Sequence, residues 1–489
     1  MSERWVTLPP FTAADQQRFG GLSGDANPVH LDADAARRTI FGRPIVHGMH
    51  LTLRALEALA SAGSLTPHRE LKVRFHRPLF LDEALSIELA QGADAIEIEC
   101  LIDGTPIASI GLSQSGEVAD QTWTPVAGDW SSSPREIPFE ATADVKGRLP
   151  LPYPASDIRS AFPGVTGIFG VNVVAHLLAI TRVIGMEVPG LHSMFATLAV
   201  RFLGGRDSYL SYGVKRVKPK LSYVQLEFES GVVSGSAETF VRPVAAAPSF
   251  DRIKTEVAAG EFSGRRCLVV GGSRGLGLVA AYLLGAGGAE VTLTYRVGAE
   301  LAFAAVQMLR ANGVTAEALQ LDSGCLDSAF EVLAHRRFAP TDLFYFATPH
   351  IFLRKTALFE RNVFEDFIAA YASNFMDLVQ RTKSLGGERL AVFYPSSSAV
   401  DQPLRELAEY AAAKAAGEAL CRSLSLYDPR LRVFVERLPR LPTDQTATLV
   451  NVETQDPAPI LADICRKMGR TAKVASEPDF SRRPMERQT

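Results

Sequence analysis

The feature that most constrains the fold is a glycine-rich turn between a short apolar strand and a helix. Residues Cys267 to Val270 are apolar, the turn that follows reads Gly271-Gly-Ser-Arg-Gly275-Leu-Gly277, and a second apolar run spans Glu290 to Tyr295. Such a turn brings backbone N–H groups close to a pyrophosphate at the start of the helix. Because strands and helices alternate to about residue 440, we predict an α/β, Rossmann-type, doubly wound parallel sheet.

Upstream, a pattern of one apolar helix followed by strands occurs twice. The helices are predicted at Gly48–Ala62 and Gly170–Gly185, and the strands at Leu71–Phe75, Leu85–Leu89, Met194–Phe202 and Tyr223–Phe240. Gly48 and Gly63 bracket the first helix at the same interval at which Gly170 and Gly185 bracket the second. We therefore predict an internal duplication, each copy being an α+β sheet wrapped on a helix.

Composition excludes several classes of function. Lys+Arg 51 against Asp+Glu 54 gives a net charge of −3, so no basic field is available for nucleic acid or an anionic membrane. No run of about 18 uncharged apolar residues occurs, and the chain starts without a secretory pattern, so we expect a cytoplasmic protein. Five widely spaced cysteines without a C-x-x-C pair predict reduced thiols and no metal site.

Two segments rich in Pro, Gly, Ser and charges predict linkers, Asp120–Glu136 and Ala245–Ser263. The predicted domains are residues 1–119, residues 137–245 and residues 260–470. The polar end, residues 471–489, is expected to be disordered.

Residues 24 to 31 read Gly-Asp-Ala-Asn-Pro-Val-His-Leu, which places Asp25 and His30 five apart across an Asn-Pro turn. A carboxylate and an imidazole facing one cleft can hold and activate a water. From these residues alone, the alternative is a turn with Asx capping, which is the more common role of an Asp-x-Asn-Pro stretch.

Longer sequence motifs around Asp25 and His30 favour the catalytic interpretation over the capped turn. GDANPVHLD, followed by FGRPIVHGM and VRFHRPL, resembles the MaoC-like family of (R)-specific enoyl hydratases and dehydratases over residues 10 to 118. The resemblance implies a hot-dog fold, with Asp25 and His30 binding the water and the Gly48 N–H polarising the thioester carbonyl. A helix start is suited to that role because its N–H groups are unpaired. We interpret His47 as structural, since no partner is evident in the sequence.

The second copy resembles the non-catalytic half of a double hot dog. Counted back from the start of its helix, the second copy has Gly147 and Pro152 where the first copy has Asp25 and His30. Phe169 likewise stands in place of His47. We expect this copy to enlarge the acyl tunnel. The basic run at residues 215–220 is either a contact for a coenzyme A phosphate or acyl carrier protein, or a solvated strand end.

The end of the second nucleotide-domain strand indicates the cofactor. Thr294-Tyr295-Arg296 lacks the acidic residue that would bind a free ribose 2′-hydroxyl. Arg274 and Arg296 could instead pair with a 2′-phosphate, which favours NADP(H), although surface arginines in turns are the alternative.

Tyr410 and Lys414 lie four apart on a predicted helix, and Ser397 lies thirteen residues before Tyr410, after the apolar strand Leu390–Tyr394. With the glycine turn upstream, this resembles the short-chain dehydrogenase/reductase family over residues 264 to 445. The resemblance implies Tyr410 as the acid, Ser397 on the carbonyl, and Lys414 lowering the Tyr410 pKa and holding the nicotinamide ribose. The resemblance further implies that Asn374 is the asparagine of the family's catalytic tetrad. It also implies cofactor contacts at Gly271, Ser273, Arg274, Gly275, Leu276, Gly277, Arg296 and Asp322.

Two regions depart from that family. Phe346-Ala-Thr-Pro349 replaces its usual Asn-Asn-Ala-Gly, and Leu438-Pro439 replaces its Pro-Gly. These departures leave open a reductase domain that serves only as a scaffold.

Together the two resemblances predict a bifunctional enzyme, a 3-ketoacyl thioester reductase and (R)-3-hydroxyacyl thioester dehydratase of fatty acid or polyketide biosynthesis. The substrate would be an acyl thioester of coenzyme A or acyl carrier protein, and we expect a homo-oligomer. The alternatives are an oxidative hydratase and dehydrogenase, the scaffold, or two domains with unrelated substrates.

Overall fold

The computed structural model describes residues 3–117, 124–128, 130, 132–242, 249–351, 358–387, 389–402, 407–443, 445–446 and 454–469. Two compact units are present. One comprises residues 1–246, 350–360 and 442–454, and the other residues 247–349, 361–441 and 455–489. The predicted disordered end, residues 471–489, lies outside the described residues.

The first unit contains a ten-stranded antiparallel sheet in the order β1-β3-β4-β5-β2-β7-β10-β9-β8-β6. Its strands are β1 Glu3–Leu8, β2 His68–Phe75, β3 Leu85–Gln91, β4 Ala95–Ile102, β5 Thr105–Ser115, β6 Lys146–Pro150, β7 Ser193–Phe202, β8 Tyr209–Lys218, β9 Tyr223–Glu229 and β10 Val233–Val241. The two halves repeat one strand order in mirror fashion and join where β2 pairs with β7, with Lys72 opposite Ala199. The predicted double hot dog is therefore confirmed.

One long helix lies in each half. The helices of this unit are α1 Ala13–Ser23, α2 Pro28–Leu31, α3 Ala33–Arg37, α4 Gly48–Ser61, α5 Ala155–Ala161, α6 Pro163–Phe169 and α7 Val171–Arg182. Helix α4 buries one apolar face, whereas every residue of α7 is buried. Helix α7 continues as a π-helical turn, Val183–Glu187, so the predicted helix end at Gly185 falls inside a wider turn.

The sequence offsets that equated Gly147 and Pro152 with the Asp-His pair were wrong. Gly147 lies within β6, and Pro152 follows that strand directly. The first half has a longer connection, since its helix α4 begins at Gly48 after a strand ending at Leu8, whereas α7 begins at Val171 after a strand ending at Pro150. Counting back from the helix therefore does not reach an equivalent loop.

The second unit has a six-stranded parallel sheet in the order β13-β12-β11-β14-β15-β16. Its strands are β11 Arg266–Val270, β12 Glu290–Tyr295, β13 Ala316–Gln320, β14 Asp342–Tyr345, β15 Leu390–Ser397 and β16 Leu431–Leu438. Its helices are α8 Phe250–Ile253, α9 Gly275–Ala286, α10 Ala299–Ala311, α11 Asp327–His335, α12 Arg361–Ile368, α13 Asn374–Ser384, α14 Ala408–Tyr427 and α15 Pro457–Gly469, with a π-helical turn at Ala369–Ser373. This order reverses direction between β11 and β14, where doubly wound sheets bind nucleotides.

The predicted linker Ala245–Ser263 is partly folded. Phe250 and Ile253 of α8 and Phe262 are buried in the core of the second unit. Their apolar side chains were hidden in the sequence among charges and small residues.

No single helix in the described ranges is long and apolar enough to cross a bilayer. Helix α6 and helix α7 with its π turn form a bent pair, and only the two together reach the required length and apolar composition.

Candidate active sites

Asp25 lies in a tight loop after α1. Gly24 ends that helix with φ of 71°, and a Cβ there would lie 2.3 Å from the Trp130 ring, so the turn requires glycine. The Asp25 carboxylate is buried; its Oδ2 accepts a hydrogen bond from Thr181 Oγ1 at 2.9 Å, and its Oδ1 accepts from the Asn27 N–H at 3.3 Å. Burial raises the pKa of Asp25 to about 7, against the hydrogen bonds of Thr181 and Asn27.

His30 faces Asp25 as a neutral base. Its Nδ1 lies 2.8 Å from the Ile45 carbonyl oxygen, which can only accept, so Nδ1 carries the proton and Nε2 keeps its lone pair. Burial lowers the pKa of His30 to about 4. Because single ligand atoms of Asp25, His30 and His47 lie within 4.8 Å of one another, one water can reach both Asp25 and His30.

His47 supports this pair from behind. Its Nδ1 lies 2.7 Å from Gln16 Oε1, its Nε2 lies 3.1 Å from the Asp25 carbonyl oxygen, and its ring stacks on His30 at 3.8 Å. Both ring nitrogens therefore face protein oxygens, which leaves Asp25 and His30 to meet a ligand. The structure supplies the partners that the sequence did not show.

Gly48 starts α4 directly after His47. A Cβ on Gly48 would lie 2.7 Å from Phe75 Cζ, so only glycine allows that ring to lie against the helix start. The His47 side chain does not cap this helix end. The first N–H groups of α4 thus carry the partial positive charge that suits a developing oxyanion.

The glycine turn of the second unit has the geometry of a pyrophosphate cradle. Gly271 and Gly275 adopt φ of 77° and 54°, and a Cβ on Gly277 would lie 2.2 Å from the Gly271 carbonyl oxygen. Helix α9 begins at Gly275, with Arg274 at the preceding position. These residues fit a dinucleotide, whose phosphates the helix start would hold.

The remaining predicted cofactor residues lie in this turn and after the next two strands. Ser273 and Leu276 are half-buried, whereas Arg296 is exposed directly after β12. Asp322 follows β13, and its Oδ1 lies 3.5 Å from the point that a Cβ on Gly324 would occupy, while Asn374 Nδ2 lies 3.6 Å from the same point. The structure therefore brings Asp322 and Asn374 to one place.

Ser397, Tyr410 and Lys414 meet at the carboxyl end of β15. Tyr410 is hydrogen-bonded to Ser397. Lys414 Nζ donates to the Pro395 carbonyl oxygen at 2.7 Å and lies 3.8 Å from the centre of the Tyr371 ring. Burial lowers the pKa of Lys414 to about 7.

The expectation that Lys414 lowers the pKa of Tyr410 was wrong for this structure. Burial raises the pKa of Tyr410, and the hydrogen bond from Ser397 is what opposes it. Lys414 Nζ lies 5.9 Å from the centre of the Tyr410 ring and faces Tyr371 instead. Of the aromatic rings around Lys414 Nζ, that of Tyr371 is nearer than that of Tyr410.

Both departures from the family pattern are packed into the unit. Thr348 Oγ1 hydrogen-bonds the Tyr371 hydroxyl, and Phe346 contacts Phe393 with ring centres 5.8 Å apart. Leu438 is buried at the end of β16. The replaced Asn-Asn-Ala-Gly segment thus connects through Thr348 to the aromatic ring beneath Lys414.

Comparison with known proteins identifies both parts of the chain. Residues 2–99 match the MaoC like domain, and residues 265–438 match the short chain dehydrogenase domain. The (R)-specific enoyl-CoA hydratase of Aeromonas caviae is 36% identical over an alignment of 116 residues, which covers 22% of this chain and 80% of that enzyme. The chain belongs to the MaoC-like hydratase family. It joins this domain to a short-chain dehydrogenase domain.

Other relatives match with less coverage. The peroxisomal hydratase-dehydrogenase-epimerase of Saccharomyces cerevisiae is 38% identical over 77 residues, 16% of this chain and 8% of that enzyme. The peroxisomal multifunctional enzyme type 2 of Drosophila melanogaster is 30% identical over 100 residues, 20% and 17% of the two chains. A solved oxidoreductase of Escherichia coli aligns with 43% of this chain and 92% of its own, at 22% identity and a TM-score of 0.39.

Sequence reasoning missed several contacts of the MaoC-like site because they come from the second copy of the duplicated fold. Besides Thr181, the Tyr153 hydroxyl donates to the Ser23 carbonyl oxygen at 3.1 Å, and Arg182 Nη1 hydrogen-bonds the Gly24 carbonyl oxygen. Asn27 Nδ2 donates to the Gly185 carbonyl oxygen at 2.9 Å. The duplication was the one sequence signal that pointed towards this half.

Proposed function

We propose that the chain reduces a 3-ketoacyl thioester with NADPH and dehydrates the resulting (R)-3-hydroxyacyl thioester to the trans-2-enoyl thioester, in fatty acid or polyketide biosynthesis. The observation that carries the proposal is that one chain holds the Asp25 and His30 pair and the Ser397, Tyr410 and Lys414 group. NADPH is favoured because Arg296, and no acidic residue, follows β12. The acyl carrier would be coenzyme A or acyl carrier protein, in a cytoplasmic homo-oligomer.

In the hydratase reaction, the water donates one O–H group to the Asp25 carboxylate and the other to His30 Nε2. These two hydrogen bonds aim a lone pair of the water oxygen at C3. As the C3–O bond forms, the C2=C3 electron pair moves towards the thioester oxygen beside the Gly48 N–H, and a water proton passes to Asp25. Asp25 then returns this proton to C2. Dehydration is the reverse, and the raised pKa makes Asp25 a stronger base for the C2 proton.

In the reductase reaction, Tyr410 donates its hydroxyl proton to the ketone oxygen, and Ser397 hydrogen-bonds the same oxygen. The nicotinamide cofactor supplies the hydride when bound. Lys414, on the same helix as Tyr410, would hold the ribose and place its positive charge near the developing alkoxide.

The oxidative direction is the second candidate. It is favoured by the name of the Saccharomyces cerevisiae relative, a hydratase-dehydrogenase-epimerase. In that direction an enoyl thioester is hydrated and the hydroxyl is then oxidised, with NAD as the expected acceptor.

The test mixes the full chain with a short 3-ketoacyl-CoA and either NADPH or NADH, and follows cofactor oxidation and product masses. We expect NADPH to be preferred and the enoyl product to appear. Tyr410→Phe should block the first step, and Asp25→Asn should stop at the hydroxyacyl product. Exposed residues provide the controls, Tyr427→Phe and Asp157→Asn.

A preference for NADH would favour the oxidative candidate. If neither cofactor is consumed while a supplied enoyl-CoA is hydrated, the second unit is a scaffold or acts on another substrate.

A further inference from the structure

The Asp25 carboxylate is contacted by groups from the half of the first unit that lacks the Asp-His pair. Thr181, in the last turn of α7, is 156 positions away in sequence and buried, and its hydroxyl donates to Asp25 Oδ2 at 2.9 Å. Gly185, one turn further on, lies so close that a Cβ there would be 2.2 Å from Asp25 Oδ1. One helix end therefore shapes the space on both sides of the carboxylate.

The π-helical turn Val183–Glu187 follows Thr181 and contains Gly185. It presents the Gly185 carbonyl oxygen to Asn27 Nδ2 at 2.9 Å while Gly185 itself packs against Asp25. Single π-helical turns are found frequently at functional sites. The loop that carries Asp25 is thus held in part by contacts from the second half.

We infer that Thr181 is a positioning residue for hydration and dehydration, which acts through Asp25 by orienting its carboxylate and stabilising its ionised form. This inference rests on the proposed hydratase function. The physical reason is that a buried carboxylate loses its hydration, and a hydroxyl donor restores part of the lost stabilisation to the charged form.

The positive charge of Arg182 lowers the pKa of Asp25, but the hydrogen bonds that the structure gives to Arg182 and Tyr153 go to other groups. Arg182 hydrogen-bonds the Gly24 carbonyl oxygen and lies 3.8 Å from Glu187. The Tyr153 hydroxyl donates to Ser23.

The two histidines do not bind the carboxylate either. His47 contacts the Asp25 backbone, and His30 has its Nδ1 proton on Ile45. Within the described residues, Thr181 and the Asn27 N–H are the donors that the structure gives to the Asp25 carboxylate.

The first test is the pH dependence of crotonyl-CoA hydration by the full chain. Thr181→Val removes the donor at nearly constant volume, and the acid limb of kcat/KM should move about one to two units to higher pH. Thr181→Ser should restore the wild-type profile. Thr166→Val, a buried threonine whose hydroxyl bonds only within its own helical segment, should leave the profile unchanged.

The second test does not depend on activity. Because Thr181→Val disfavours the charged carboxylate, its melting temperature should fall further below wild type as the pH rises from about 6 to about 9. In an Asp25→Asn background this pH dependence should vanish.

The two hypotheses fail differently. Absence of crotonyl-CoA hydration by the wild-type chain rejects the hydratase function. An active wild type whose Thr181→Val variant has an unshifted acid limb, or a melting deficit independent of pH and of Asp25, rejects the role of Thr181.

Discussion

Each candidate site has one buried side chain, Asp25 or Lys414, whose pKa burial moves to about 7, and the two shifts have opposite directions. Asp25 rises from 3.8, and Lys414 falls from 10.5. Each lies beside a π-helical turn, since Gly185 packs against Asp25 and the Tyr371 ring lies under Lys414. Burial therefore prepares both groups for proton-dependent chemistry near neutral pH, one as a strengthened base and the other as a weakened cation.

The difference lies in where the stabilising contacts originate. Those of Asp25 include Thr181, which belongs to the other repeat, whereas Lys414 uses Pro395 of β15 and Tyr371 of the adjacent π turn, both in its own domain. The hydratase site thus depends on the duplication, and the reductase site depends on one compact fold. A duplicated domain can divide the work, with one copy carrying the reacting groups and the other copy holding them.

The largest expected effect is on Lys414. Lys414→Met approximately keeps the length of the side chain and removes its charge. The kcat/KM for ketoreduction should therefore fall by about a hundredfold to a thousandfold. Hydration of crotonyl-CoA by the same preparation should be unchanged, because Lys414 has no part in that site. Lys254→Met, an exposed lysine, is the matched control. A parallel loss of both activities would show that the variant disturbs the whole chain.

Gly185→Ala should be next in size. Its Cβ would meet Asp25 Oδ1, and displacement of a reacting group by about 1 Å costs about a hundredfold in rate. We expect that loss in kcat/KM for hydration, with ketoreduction retained. Gly167→Ala lies in a helix of the same half with open space around it and should retain wild-type hydration. Wild-type hydration by Gly185→Ala would mean that the close approach to Asp25 does not fix the carboxylate.

The opposite origins of the two pKa values predict opposite pH dependence. Hydration requires ionised Asp25, so its kcat/KM should rise by about tenfold per pH unit below about 7 and then level off. Ketoreduction requires charged Lys414, so its kcat/KM should fall as the pH rises above about 7. Both profiles are measured on one preparation. Profiles that rise and fall together would contradict the separate assignment to Asp25 and Lys414.

Sequence reasoning named the residues that lie together at each candidate site but not the residues that support them. The helices at Gly48 and Gly170, the glycine turn and the order of elements follow from local periodicity and turn chemistry, which neighbouring residues determine. Thr181 was out of reach because its contact with Asp25 depends on how two repeats pair across β2 and β7, and apolar spacing carries no information on pairing. Likewise, nothing in the sequence indicates that Tyr371 lies under Lys414.

The smallest expected effect concerns Tyr371, whose ring and hydroxyl have separate roles. The ring face lies 3.8 Å from Lys414 Nζ, and the hydroxyl is hydrogen-bonded to Thr348. Tyr371→Phe keeps the ring, so ketoreduction should fall only about threefold, which corresponds to one modest hydrogen bond. Tyr371→Leu removes the aromatic face as well and should cost about tenfold more, since a desolvated cation–π contact is stronger.

The measurement for these two variants is kcat/KM for ketoreduction together with its pH profile. Loss of the ring should move the fall in rate to lower pH, because the ammonium form of Lys414 loses stabilisation. If Phe and Leu at position 371 gave equal rates and profiles, the hydroxyl contact to Thr348 would be the important one. The replaced segment after β14 would then act on the site through that hydrogen bond, and the aromatic face would only fill space beneath Lys414.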